Sequence, residues 1–377
     1  QLPARRRILL EDQATRLGRS RFNTEGGIVL TTAQIVSIAV FVVVMALVVT
    51  EKVHRAVAAL AGAVVLLVVT AVTSLGPSPV EIIDFAGGME SIDFNTLAVL
   101  CGMMMFVAVV KQSGLFEFVA IKSAKLCHGD PWRIMVAFAI ITAVFSAFLD
   151  NVTTILLIGP MTIMLCRTLK IDATPFLIVE ILFSNIGGTA TLIGDPPNIM
   201  IGSAAGLTFF DFIRYDAPVV LVIMVVVLIV FRFVYGRKLS VDQESVRCVM
   251  ELSEKDSIKD PFLFRLSVAM IVAVTVAFMA HGALNLESGV IALAAAAAIL
   301  LISRADLEVV VGDVEWTTIG FFLGLFIVVG GMEHTGVITM VGNWMVDVTG
   351  GDVVLLMIAL LWGSALLSAV LDNIPFV

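Results

Sequence analysis

Apolar stretches of about 20 residues, the length needed to cross a hydrocarbon core, recur along this chain with short polar interruptions. They fall at 31–50, 56–75, 95–112, 132–149, 152–168, 175–206 (interrupted), 217–235, 264–282, 286–303, 315–332 and 352–371. Two segments lie outside this pattern. Residues 1–30 are polar and arginine-rich, and residues 236–263 form the only long hydrophilic connection, which reads as a solvated cytoplasmic loop. Between 115 and 128 lysines alternate with apolar positions at helical spacing, which predicts a helix lying in the membrane interface. The pattern predicts an all-α polytopic membrane protein. Its segments are an N-terminal stretch 1–30, a transmembrane repeat 31–235, the loop 236–263, and a second, incomplete transmembrane repeat 264–377.

Composition narrows the function. Of 377 residues, 59% are hydrophobic and only 14% charged, against roughly a quarter charged in soluble domains. Mean hydropathy is +1.06. These values exclude a disordered chain, a nucleic-acid binder and an ordinary soluble enzyme, and they make the lipid bilayer the principal partner. The four cysteines (Cys101, Cys127, Cys166, Cys248) are far apart with no CxxC, so neither a disulfide framework nor a thiolate metal site is indicated. No nucleotide-binding loop is present, and no cofactor is expected.

An internal repeat organises the rest. At an offset of 222 positions, Asp93-Phe94-Asn95-Thr96 falls on Glu315-Trp316-Thr317-Thr318, and Gly102 on Gly324. Gly114 falls on Gly336, Gly129-Asp130 on Gly351-Asp352, and Ser146-Ala147-Phe148-Leu149-Asp150-Asn151 on Ser368-Ala369-Val370-Leu371-Asp372-Asn373. Matching polar and glycine positions at one offset mark a duplication. Of the 23 lysines and arginines, six lie within 1–30. If 51–55 is cytoplasmic and 132–168 is a re-entrant hairpin, all the others except Arg214 face the cytoplasm. Each repeat then has three spans, a hairpin, a broken span and a final span. Five crossings is odd, so the second copy is inverted, an arrangement found in secondary transporters. The arginines in 1–30, the start at Gln1 and the stop at Val377, soon after Asp372, lead to the expectation that the chain is a fragment.

Two polar clusters interrupt the apolar pattern. Asp150-Asn151-Val152-Thr153-Thr154 marks the tip of the first hairpin. Asp150 supplies charge or a proton site there, and Asn151, Thr153 and Thr154 supply neutral oxygens. In the second cluster, Asn185, Gly187, Gly188, Thr189, Thr191, Gly194, Asp195, Pro196, Pro197 and Asn198 sit inside a span that glycines and prolines prevent from being one helix. Two half-helices flanking an extended stretch are expected, with the N-terminus of the second directing positive dipole charge at the break. The second hairpin contributes Asp372, Asn373 and Pro375. Glu180 precedes the break and reads either as a proton relay or as an interfacial group.

The motifs DNVTT, GGTATLIGDPPN and the second DNIP resemble the ArsB/NhaD group of the ion-transporter superfamily, most closely its melanosomal P protein branch. Arsenite permeases, NhaD-type sodium/proton antiporters and dicarboxylate and citrate carriers are related. The resemblance spans 31–377. It implies two hairpins and two broken helices enclosing one midplane site, which a moving transport domain carries across the membrane. Asp150 stands where the dicarboxylate carriers have serine, a departure that favours proton or cation coupling. The function expected is a secondary active transporter coupling protons or sodium to a second small ion. Arsenite efflux and sodium-coupled anion uptake are the alternatives within transport. A third reading, intramembrane aspartyl proteolysis by Asp150 and Asp195, lacks the GxGD glycine, since Leu192 occupies that position. A homodimer through 31–75 and 264–303 is expected from the need for a rigid scaffold.

Overall fold

The computed structural model describes residues 30–236, 241–284 and 286–369, and every regular element among them is helical. In chain order the seventeen α-helices are α1 (Thr32–Thr50), α2 (Arg55–Thr73), α3 (Phe85–Glu90), α4 (Phe94–Gln112), α5 (Leu115–Leu126), α6 (Pro131–Ser146), α7 (Asn151–Thr168), α8 (Thr174–Gly188), α9 (Pro196–Ala205), α10 (Phe209–Val234), α11 (Gln243–Glu251), α12 (Pro261–Leu284), α13 (Ser288–Ser303), α14 (Leu307–Gly312), α15 (Trp316–His334), α16 (Val337–Val348) and α17 (Val353–Ser368). Seven of them, α1, α2, α4, α7, α10, α12 and α15, are long and apolar enough to cross a membrane, so this is a multi-pass integral membrane protein. The 15-residue α8 and 10-residue α9 would each reach at most about 23 Å at 1.5 Å per residue. Neither alone crosses a core about 30 Å thick.

The duplication recurs in the backbone. At the same offset α3 matches α14, α4 matches α15, α5 matches α16 and α6 matches α17, end for end. Their start signals match too. Asp84 and Asp306 cap the first pair, Asp130 and Asp352 the last. Gly114 and Gly336 precede the third pair at φ 80° and 77°, a left-handed conformation that glycine adopts without a Cβ penalty.

Two compact units do not follow the repeat boundary. Among the described residues the first comprises 30–92 and 320–369, the second 93–319. In the first unit, Gly324 of α15 lies against the backbone of Ala59 and Leu60 in α2, where an added Cβ would come within 2.5 Å of backbone atoms. Gln34 and Ser37 of α1 donate to the carbonyls of Thr335 and Gly331. The second unit repeats this close approach with other helices. Gly102 of α4 lies against the backbone of Ala292 in α13, with 2.6 Å left for a Cβ, and the Gly289 N–H donates to Asn95 Oδ1 at 2.8 Å. The third long helix of each repeat thus packs on a helix that belongs to the other repeat.

The hydrophilic connection corrects the expectation of a solvated loop. Among its described residues, α11 and a 3-10 turn at Glu254–Ser257 pack on α5, and Val249 and Ser245 are buried. Lys125 donates to Glu254 at 2.7 Å and to the Leu252 carbonyl at 3.0 Å. The chain turns at Gly114 and Gly129 pass so close to Ser257 and Val246 that no Cβ fits at either glycine. The valines at 246 and 249 share a helix face, a signal masked by the charges around them. Glu254 is held below the ordinary glutamate value, first by its hydrogen bond from Lys125.

Candidate functional site

The two polar clusters meet in the second unit, where α6, α7 and α8 converge on the break between α8 and α9. Asp150 is the N-cap of α7. Its Oδ1 accepts from the Thr153 N–H at 2.8 Å, and its Oδ2 accepts from the Thr153 hydroxyl at 2.5 Å. The Asp150 carbonyl accepts from the Thr154 hydroxyl at 2.9 Å. The tip is therefore a capped turn, as the Asp-x-x-Thr spacing allows, and the cap also fixes the direction of a half-buried carboxylate.

Asn151 bridges the clusters. Its Nδ2 donates to Asn185 Oδ1 at 2.9 Å, and its backbone carbonyl accepts from the buried Ser184 hydroxyl at 2.7 Å. Ser146, at the end of α6, donates to the Ser184 carbonyl at 2.6 Å. Thr191, within the break, donates to the Ala147 carbonyl. Four cross-connections thus tie residues 146–151 to residues 184–191.

The break is a compact turn rather than the expected extended stretch. Asn198 holds it by donating from Nδ2 to the carbonyls of Gly188 at 3.2 Å and Thr191 at 2.8 Å. Gly187, Gly188 and Gly194 leave room for backbone to touch backbone: a Cβ on Gly194 would lie 2.6 Å from the Ser146 carbonyl, and one on Gly187 2.5 Å from the Ala143 Cα. Their place in the cluster is close packing that brings polar neighbours together. Thr189 is exposed and donates to the Ile186 carbonyl at 2.8 Å within its own turn.

The α9 N-terminus also differs from expectation. Pro196 and Pro197 occupy its first two positions, and the Asn198 N–H is engaged by the Asp195 carbonyl at 3.0 Å. Proline has no N–H, so this end offers an anion fewer backbone donors than an ordinary helix start. Asp195 is buried at the N-cap of α9. Asp372, Asn373 and Pro375 lie outside the described residues.

Sequence reading missed the depth of the polar core behind this tip. Thr142, Ser146, Thr162, Glu180 and Ser184 are all fully or almost fully buried among α6, α7 and α8. Their signal is the i, i+4 pairing of small polar or acidic residues inside apolar helices, Thr142 with Ser146 and Glu180 with Ser184. Beside the tip, an apolar cavity of about 130 Å³ is lined by Phe145, Phe148, Leu149, Ile193, Val274 and Phe278 among others. Its lining is almost wholly hydrocarbon and does not suit an ion. Among the described residues no cluster of His, Cys, Asp or Glu has a metal-holding arrangement.

Comparisons with known proteins agree with this architecture. The model of the citrate transporter family matches residues 45–377. Over 343 residues the chain is 38% identical to an uncharacterized transporter of Mycobacterium bovis, covering 91% of this chain and 78% of that protein. The 46 kDa membrane protein of Mycobacterium leprae is similar to the same extent. The human P protein is 31% identical over 418 residues, covering 90% of this chain and 49% of P protein. The chain belongs to the citrate transporter family, and the resemblance to the ion-transporter superfamily read from its motifs is borne out, with P protein among its relatives.

Proposed function

We propose that this secondary transporter couples proton or sodium movement to a second small ion, and that the α7 tip and the α8–α9 break form one half of its ion site. The observation that carries the reading is the Asn151–Asn185 contact at 2.9 Å, which joins the two polar clusters beside the Asp150 carboxylate. Asp150 supplies negative charge, and Asn151, Asn185, Thr153 and Thr154 supply neutral oxygens. Asp195 and the backbone held by Gly187, Gly188, Thr189, Thr191, Gly194, Pro196, Pro197 and Asn198 shape the break. Asp372, Asn373 and Pro375, at the matching sequence positions of the second repeat, are the candidate residues for the other half. A carboxylate that alternately holds a proton and a cation gives obligatory exchange, since the two compete for one place.

The family's description favours a second reading, uptake of citrate or a related carboxylate with a coupling cation. The Asp150 charge then requires that cation to be bound beside the anion. A homodimer through 31–75 and 264–303, supplying a rigid scaffold, is part of the same proposal.

The test uses the full-length protein in liposomes with a trapped pH dye. A sodium pulse under an imposed proton gradient distinguishes exchange from the second reading, which citrate addition probes. Asp150→Asn removes the charge and keeps a good N-cap. Loss of flux in this variant is the expected result. Flux and pH dependence equal to wild type would overturn the role of Asp150.

A further inference from the structure

Glu180 lies in the middle of α8, with no exposed surface. Its Oε1 accepts from the Thr162 hydroxyl of α7 at 2.5 Å, and its Oε2, equally buried, has no hydrogen-bond partner among the described residues. The helices packed on α8 are α6, α7 and α10, and none brings it a cation. On α6 the only charged residue is Arg133, exposed near its start. On α7 the neighbours are Thr162 and, in electrostatic range one turn further on, Cys166, while Arg167 is exposed. On α10 no titratable residue lies between Asp216 and Arg232.

An ionised carboxylate sealed away without a counter-charge costs several kcal/mol, and such a group takes up a proton instead. An acid in the protein interior with one idle oxygen is also an expensive way to pack a helix. A glutamine or leucine at this place would serve the fold better, so a functional role is the default reading for a membrane-embedded carboxyl.

Glu180 also shares α8 with residues of the proposed ion site. Ser184 lies four residues further along the same helix, about 6 Å along the axis at 1.5 Å per residue. Ser184 donates to the Asn151 carbonyl at the α7 tip and its hydroxyl lies 3.4 Å from that of Ser146. Thr142, one turn before Ser146 on α6, is a further buried hydroxyl whose oxygen has no partner among the described residues. Glu180 and Thr142 thus lie one turn before Ser184 and Ser146 on the packed helices α8 and α6, a file of buried polar groups whose hydrogen-bonded end is the Ser184–Ser146 pair at the backbone of Asn151.

We propose that Glu180 is a proton-binding site of this transporter, neutral in the conformation seen here, and that the Thr142–Ser184–Ser146 file links its protonation to the tip that carries Asp150. This rests on the coupled-transport reading above and adds to the ion-site carboxylate a second proton-holding carboxyl outside the ion site. No bond is formed or broken apart from the O–H of the acid. The proton arrives from and leaves to water when a conformational change opens the file.

Two measurements on the purified full-length protein test it. The first is infrared difference spectroscopy at neutral pH, which reads the carbonyl stretch of a protonated carboxyl. Wild type minus Glu180→Gln is expected to show such a band. Its absence would mean that Glu180 is ionised and would overturn the proposal. This measurement needs no transport, so it stands even if the coupled-transport reading fails. The second follows proton movement in liposomes after addition of sodium or citrate. Glu180→Gln, which keeps size and shape, is expected to lose the proton signal, and Thr162→Val to shift its pH profile. Wild-type proton movement with an unchanged pH profile in Glu180→Gln would overturn the coupling role. A spectroscopic band in a protein that moves neither probe would instead reject the transport reading and leave the proton site standing.

Discussion

The geometry of the break depends on one side chain, so Asn198 gives the most direct test of it. Its Nδ2 serves two carbonyls, Gly188 at 3.2 Å and Thr191 at 2.8 Å, in a place only 9% exposed. Asn198→Ala removes both donors together. Losing two hydrogen bonds worth about 1 kcal/mol net each, and leaving buried acceptors short of a partner, costs about 2–4 kcal/mol. At about 2–4 °C per kcal/mol for a large domain, the melting temperature should fall by about 5–15 °C. Thermal unfolding of the purified protein in detergent reads this directly. Asn198→Asp sharpens the test, because a carboxylate would turn oxygen towards two carbonyl oxygens. That variant should be the less stable of the two at neutral pH and should recover on acidification, when the introduced acid regains one donor. Thr189→Ala is the control, since Thr189 is exposed and bonds only within its own turn. A melting temperature for Asn198→Ala within about 1 °C of wild type, or no pH response in Asn198→Asp, would refute the idea that this amide holds the break.

Two other predictions concern helix packing and the 236–263 connection. Gly102→Ala and Gly324→Ala each place a Cβ within 2.6 Å and 2.5 Å of facing backbone and should cost about 1–3 kcal/mol. Gly342→Ala, in the exposed interior of α16 with nothing within 4 Å, should instead stabilise by up to about 1 kcal/mol, and the same thermal assay separates them. The Lys125–Glu254 contact should hold the α11 segment on α5 at neutral pH. Because Glu254 is depressed below its ordinary 4.5, the contribution is complete above that value and lost as pH falls through the lowered one. Hydrogen exchange across 241–257 should therefore accelerate only in acid, whereas Lys125→Ala should accelerate it at all pH values. Unchanged exchange in that variant would show that apolar contacts alone hold the segment.

The helices were legible because lipid imposes long uniform apolar runs, and the duplication was legible because turns and caps need particular residues. Asp130 and Asp352 or Gly114 and Gly336 identify themselves in that way. The α11 segment was hidden because only Val246 and Val249 mark its buried face in a stretch otherwise dominated by charge. DNVTT and GDPPN marked two polar clusters that the structure brings together, but not what holds each part in place. The glycines read as features of an ion site, and in the structure Gly187 and Gly194 touch the α6 backbone while Gly188 meets Gly194. The α9 start read as a dipole for an anion, yet two prolines remove its first N–H groups. Glu180 stood open between relay and interface because only packing decides whether a lone acid inside an apolar helix meets water. Thr162 carries no signal until three helices converge.

The exchange of helices between the repeats has a consequence for how the protein is made. Asn95 finds its partner Gly289 only after another 194 residues, and Ser37 finds Gly331 only after 294. At roughly 5–20 residues per second, the faces of α4 and α1 wait about 10–60 s on the ribosome before their partners emerge. During that interval the groove around Gly102 has nothing to close against but lipid or a helper protein. A synthesis pause or early stop between α10 and α13 would therefore leave a first repeat that is fully translated, correctly threaded and still unfinished.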